Sequence, residues 1–256
     1  MCTVLTAGGA VALGRVAVLK FGSSLLADAA GFDAAASEIV RERAAGHRVR
    51  VVVSAMRGTT DRLLAEAKRL SAAPAGALVS MLLKTGEDAS VALLAIALTS
   101  LGVNTHALPS GALGLTTRGP IDDAEPIGVD LTRLVGSLRT HDVVVVPGFA
   151  GEDANGTPSL LGRGGSDLTA LYLAAELGAE EVRLVKDVDG VHPWDPHDPA
   201  RPSRPLESAS WSEVELMGNG VVQPKALRFA ERLGIRFRVA APGGRGTWVG
   251  PSAHVP

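Results

Sequence analysis

Solid apolar runs alternate with stretches of helical period along most of the chain. Val16 to Lys20 (VAVLK) reads as a buried strand and runs straight into the turn-rich Phe21-Gly22-Ser23-Ser24. Phe32 to Ala45 reads as a helix, and Val49 to Ser54 as a second strand. A long helical region from Gly76 to Leu101 follows the break at Pro74. Val103 to Leu108 is expected as a strand, Val129 to Arg139 as a helix, and the β-branched run Val143 to Val146 as a strand. Ser166 is a candidate N-cap for a helix ending at Leu177, with Gly178 as its stop. A strand at Glu181 to Val185, helices at Ser210 to Met217 and Lys225 to Gly234, and a strand at Arg236 to Ala240 complete the pattern. Pro193 to Pro205 is rich in proline and charge and reads as an exposed loop. Several strands are apolar at every position, which suits a mainly parallel sheet covered on both faces.

Composition narrows the setting. The 256 residues are 46% hydrophobic, enough for a sizeable α/β core, and no linker divides them, so residues 1–256 are expected as a single domain. A net charge of −2 with both signs interspersed gives no footprint for nucleic acid or an anionic membrane. Cys2 is the only cysteine, which excludes an internal disulfide framework or a thiolate metal site. The opening MCTVLTAGGAVALG lacks the basic segment of a secretion signal. The apolar stretch Val91 to Val103 is too short to span a membrane and is broken by Thr99 and Ser100. A cytoplasmic location is expected.

Glycine-rich turns follow strands at Phe21-Gly22-Ser23-Ser24, at Met56-Arg57-Gly58-Thr59 and at Gly162-Arg163-Gly164-Gly165-Ser166-Asp167. In a parallel sheet such strand ends share one rim, where ligands bind. Glycine lets the backbone approach a phosphate, and helix N-termini offer free N–H groups to anions. No Walker A spacing is present. Any one of these turns alone more often marks an ordinary strand–helix connection, and three with charged residues attached say more. Lys20 ends an apolar strand, where its ammonium can neutralise charge on a phosphoryl group or simply be solvated.

Taken in order, the motifs resemble those of the amino-acid kinase family. VLKFGSSLL (residues 18–26) resembles the KFGGTS opening of aspartokinases, with a middle closer to glutamate 5-kinases. VVVSAMRGTTDRLL and the GE-containing helix TGEDASVALLAIALTSLGV are similar to aspartokinase blocks. VPGF, LGRGGSD, KDVDG and DP follow in family order, and GNGVVQPKAL is a weaker match to the last block. Together they cover about residues 15 to 240.

The resemblance implies a three-layer α/β/α sandwich with an open, mainly parallel eight-stranded sheet. It implies an acceptor-binding part (about 15–145), a nucleotide-binding part (about 146–250), and no ACT regulatory domain. The implied activity is ATP- and Mg²⁺-dependent phosphorylation of a carboxylate on an aspartate-like amino acid, in a homodimer. Glutamate or an N-acyl amino acid as acceptor, and a non-catalytic homologue, are the alternatives. Lys20 and Asp167 take the catalytic places, and Ser54, Thr60, Glu87, Arg163 and Ser166 the acceptor-binding ones. Arg163 can fork onto a carboxylate and Glu87 can hold an ammonium. Gly22, Ser23, Gly58, Lys186, Asp187, Gly190, His192, Asp195 and Lys225 are the nucleotide-side candidates, and no residue is expected as a metal ligand. Here the chain departs from the family: Lys186 stands for a threonine, and Gly220 stands where a phosphate-binding lysine is usual. Lys186 or Lys225 is expected to restore that cation. His192 and His197 replace a tyrosine and an arginine, and Arg57 replaces a glycine, adding a charge near the phosphates or the substrate.

Overall fold

The solid apolar runs are buried on both faces because two separate cores share them. In a strand, alternate residues face opposite sides. Val16, Val18, Val52, Val144 and Val146 enter one core, while Leu19, Phe21, Val51, Val53, Val143 and Val145 enter the other.

The computed structural model describes residues 2–6, 9–195 and 203–251. Its strands are β1 (Cys2–Thr6), β2 (Gly9–Gly14), β3 (Val16–Phe21), β4 (Arg48–Val53), β5 (Thr105–Ala107), β6 (Thr116–Arg118), β7 (Glu125–Gly128), β8 (Val143–Pro147), β9 (Ala150–Glu152), β10 (Pro158–Leu160), β11 (Glu181–Val185), β12 (Ser208–Ser210), β13 (Phe237–Ala240) and β14 (Thr247–Gly250). Its helices are α1 (Ala29–Ala44), α2 (Thr59–Leu70), α3 (Gly76–Ser100), α4 (Ser110–Leu113), α5 (Leu131–Thr140), α6 (Gly165–Leu177), α7 (Trp211–Met217) and α8 (Pro224–Leu233).

Eight strands form the central sheet in the order β12-β14-β13-β11-β3-β4-β8-β5, parallel throughout except between β13 and β14. Helices α1 and α3 cover one face through Phe32, Ile39, Val91, Leu94 and Leu98. Helices α5, α6, α7 and α8 cover the other through Leu134, Leu168, Leu171, Val214 and Leu227. The expected α/β/α sandwich with its eight-stranded sheet is the fold observed. A four-stranded sheet, β10-β9-β6-β7, and the antiparallel hairpin β1-β2 are additions that the apolar pattern did not announce. Helix α2 was also unannounced, since none of its residues is deeply buried.

Two local expectations are corrected. Helix α6 is capped by Gly164 at φ +77°, not by Ser166, which lies within the helix. The backbone enters the helix in the left-handed region that glycine alone adopts cheaply, two residues earlier than a serine cap would allow. The expected loop from Pro193 to Pro205 has neither helix nor strand at 193–195 and 203–205, and residues 196–202, with His197 among them, lie outside the described residues.

The strand order places the site. From β3 the chain builds outward through β4, while β11 returns to the opposite side of β3. The gap beyond the carboxyl ends of β3 and β11 is therefore the point where the winding reverses, the usual ligand crevice of an open parallel sheet.

Candidate active site

Lys20 is paired in register with Leu184 across the β3–β11 ladder. Lys186 stands two residues beyond Leu184, so the period of two sends both lysines to the same face, over the start of α6. Asp167 meets them there from the first turn of that helix. Its Oδ1 lies 2.7 Å from Lys20 Nζ and its Oδ2 2.8 Å from Lys186 Nζ. Asp167 is 3% exposed and Lys20 6%. Burial alone would raise the Asp167 carboxyl, but the ammoniums of Lys186 and then Lys20 outweigh it and hold the group at about 2. Burial pulls the Lys186 ammonium below its ordinary range, against the opposing pull of Asp167.

Around this cluster opens a cavity of about 320 Å³, within the usual range for small-molecule sites. Its wall includes Lys20, Ser54, Thr60, Glu87, Arg163, Ser166, Asp167 and Lys186, so all seven expected catalytic and acceptor-side residues converge on one space. Ser54, just past β4, and Ser166 face each other with their hydroxyls 2.9 Å apart. Thr60 enters from the first turn of α2. Arg163 is exposed at the rim and pairs with no carboxylate among the described residues. Asp167 does not engage Arg163, because its two oxygens are taken by Lys20 and Lys186.

Glu87 sits on the apolar stripe of α3 with Leu83, Val91, Leu94 and Leu98, and is 1% exposed. Its Oε2 accepts the backbone N–H groups of Gly148 (3.1 Å) and Phe149 (2.7 Å). Desolvation nonetheless pushes the carboxyl up to about 8, the two N–H donors and Lys20 only moderating the effect. A glutamate in register with leucines on one helix face was the sequence signal for this environment.

The glycines divide by purpose. A Cβ on Gly22 would stand 3.3 Å from Lys20 Nζ, so glycine keeps the space above the ammonium open. Gly162 and Gly164 serve packing instead: a Cβ there would strike Asp123 Oδ1 at 2.2 Å or Gln223 Cβ at 2.5 Å.

A second cavity of about 340 Å³ adjoins the first. Lys186, Asp187, Gly190, His192 and Asp195, five of the nucleotide-side candidates, line it. Gly22 and Ser23 line the first cavity instead. Three expected contributions do not reach either space. Gly58 caps α2 at φ +74°. Lys225 donates to the carbonyls of Asp123, Ala124 and Leu161 and pairs with Asp123 Oδ1 at 2.6 Å, which leaves it tied into the wall behind the cavities. Arg57 donates to the Ser24 carbonyl at 2.5 Å and so holds the first glycine loop in place. Phe149, Asn219, Val221 and Gln223 are lining residues that sequence reasoning missed, while Ser24 and Gly220, noted there in a turn and as a departure, line both cavities. Asn219 was legible only in three dimensions: its Nδ2 donates to the His192 carbonyl at 3.0 Å and closes the second cavity.

Comparison with known proteins agrees with this geometry. An aspartokinase of Thermus thermophilus is 37% identical over 225 residues, covering 87% of this chain and 55% of its own length. An aspartokinase of Geobacillus stearothermophilus is 37% identical over 238 residues, covering 91% of this chain and 58% of its own. The chain thus spans about half the length of the curated relatives it matches. The crystal structure of an aspartate kinase from Synechocystis superposes with a TM-score of 0.78 at 31% identity, over 92% of this chain and 40% of that one. The model of the amino acid kinase family matches residues 15–241. With that match, the ordered motifs and the eight-stranded sheet, this chain belongs to the amino acid kinase family.

Proposed function

We propose that the protein phosphorylates a side-chain carboxylate of an aspartate-like amino acid, taking the phosphoryl group from ATP. The observation that carries this reading is the polarity of the first cavity: a buried carboxyl (Glu87), an unpaired guanidinium (Arg163) and the Lys20–Asp167 pair all face one small space. An amino acid with two carboxylates satisfies the three at once. Its ammonium meets Glu87, one carboxylate meets Arg163 in a fork, and the other is left beside Lys20. Ser54, Thr60 and Ser166 supply hydroxyls to the remaining polar atoms. The lodging for an ammonium favours a free amino acid over an N-acyl one. Relatives described as aspartokinases support the same acceptor class.

The second cavity fits the nucleotide. It has the volume, the cationic wall at Lys186 and the close backbone approach at Gly190 and Gly220 that a polyphosphate needs. Mg²⁺ carried on the phosphates neutralises part of their charge when bound. Transfer requires no general base: a carboxylate oxygen lone pair forms the new bond to the γ-phosphorus, the bond to the β–γ bridging oxygen breaks, and its electron pair leaves on ADP. The part before about residue 145 then holds the acceptor and the part after it the nucleotide, in one domain. No helix of the described residues is long and apolar enough to cross a membrane, and we place the enzyme in the cytoplasm. Helix α3 exposes Leu78, Met81, Leu93 and Ile96, and a homodimer through that face is the assembly we expect, with a mass by light scattering twice that of the chain.

The reading is tested by trapping the acyl phosphate with hydroxylamine while ADP release is followed, with aspartate, glutamate and N-acetylated acids as acceptors. Hydroxamate from aspartate that disappears in Lys20→Ala is the expected result. Turnover with an N-acyl acid alone would reassign the lodging at Glu87. Failure with every acceptor would remove the kinase reading.

A further inference from the structure

One lysine would neutralise Asp167, yet two are applied to it. Lys20 and Lys186 take separate oxygens of the same carboxylate at 2.7 and 2.8 Å, their side chains 7% and 13% exposed. The cluster carries one positive charge in excess. Glu87 is the other carboxyl whose charge Lys20 feels, and it does not restore the balance, because its Oε2 is committed to two backbone N–H groups and desolvation favours its neutral form. Surplus charge in so dry a place is unfavourable unless an anion arrives to meet it.

The two lysines also differ in what they face. Lys20 lines the first cavity only. Lys186 lines both. The other residues common to the two walls are Ser24, Gly220 and Val221, so Lys186 is the one charged side chain among the described residues at the boundary. Gly220, in both walls, holds a left-handed conformation at φ +70°, and a Cβ there would meet nothing within 4 Å. No other charged side chain among the described residues lines the passage.

We infer that Lys186 is a second catalytic lysine, contacting the phosphoryl group as it passes between the cavities, with Asp167 spacing it from Lys20. This rests on the phosphoryl-transfer reading above and adds a residue to it. As the carboxylate oxygen bonds to phosphorus and the bridging oxygen departs with its electron pair, negative charge spreads over the three equatorial oxygens. Lys20 meets that charge from the acceptor side and Lys186 from the boundary. Both remain ammoniums, and no proton is transferred.

The test compares Lys186→Met and Lys186→Arg with the unaltered protein, and with Lys225→Met as a lysine outside both cavities. Three readouts are taken: hydroxamate turnover, calorimetric affinity for ADP and for a non-hydrolysable ATP analogue, and thermal midpoint. Loss of a transition-state donor is expected to lower kcat about 10²-fold in Lys186→Met, with the acceptor KM within about twofold. Lys186→Arg should recover part of it. The variant should lose affinity for the ATP analogue while holding ADP, and its thermal midpoint should stay level or rise, since Lys20 and Asp167 remain as a balanced pair. A merely structural lysine would instead lower the midpoint and leave kcat alone. Unchanged turnover in Lys186→Met, with the unaltered protein active, overturns the inference and leaves the kinase reading standing. If the unaltered protein turns over no acceptor, the nucleotide pair decides: loss of preference for the ATP analogue keeps Lys186 on the terminal phosphate, and equal affinities remove it.

Discussion

If an acceptor ammonium meets Glu87 as proposed, the cost of desolvation there governs its binding. The carboxyl is nearly dry and pushed up to about 8, so at pH 7 the unliganded protein holds it mostly neutral. An ammonium is attracted far more strongly to the ionised form, so acceptor binding at Glu87 as proposed is expected to expel a proton. The acceptor KM is therefore expected to fall as pH rises from about 6.5 toward 8, while the acceptor's amino group is still an ammonium. In Glu87→Gln, which can still accept the two backbone N–H groups, that slope should vanish and KM should be high throughout. Steady-state kinetics across the pH range checks both, and a KM flat in pH for the unaltered protein would contradict the assignment. The same shift has a consequence for folding. The unfolded chain releases this proton near 4.5 and the folded chain near 8, so the group's contribution to stability is complete below 4.5 and is lost as pH rises through about 8.

Among the elements, the loop after β8 and the start of α6 show how closely the site is packed. A Cβ on Gly148 would lie 2.6 Å from Val52 Cγ1 and 2.7 and 2.8 Å from Cβ and Cα of Ser166. Two of these contacts are with a helix start that carries Asp167 one residue on. Gly148→Ala is expected to cost about 1–3 kcal/mol in urea denaturation and to reduce turnover by displacing Ser166 and Asp167, whereas Gly136→Ala, with open space around it, should do neither. Such packing explains what the sequence could and could not reveal. Strands β3, β4 and β8 were legible because burial on two faces demands apolar residues at every position. Helix α2 was not, since it lies on the outside and buries none of its residues deeply. The convergence of Lys20, Glu87, Arg163 and Asp167 followed from motif order, but the fate of a long side chain did not. Lys186 and Lys225 were equal candidates for the missing cation. Only the register of β11 on β3 turns the first toward Asp167, and only the fold of residues 121–124 claims the second.

For the molecule as a whole, the two halves of the site are not two halves of the structure. Strand β3 is flanked by β4, from the part before about residue 145, and by β11, from the part after it. The core on the α6 face runs from Val16 to Val249 without a break between the parts. Separating them would strip β3 of a five-residue parallel ladder and expose Leu168 and Leu171 where they meet that shared core. Neither part should therefore survive the loss of the other, and unfolding should be a single cooperative transition. The sequence supplies a probe for this, because all three tryptophans, Trp194, Trp211 and Trp248, lie in the second part, whereas helices of both parts contribute to far-ultraviolet circular dichroism. Urea curves followed by fluorescence and by circular dichroism are expected to coincide. Saturating MgADP at 100 times its Kd should move both curves together by about 2.7 kcal/mol. If fluorescence alone responded to nucleotide, or the two midpoints parted, the parts would be folding separately, and the crevice between β3 and β11 would be a joint between domains. Coincident curves would mean that the lysine–aspartate cluster sits on a platform that unfolds only with the whole chain, which is what holding two like charges on one carboxylate requires.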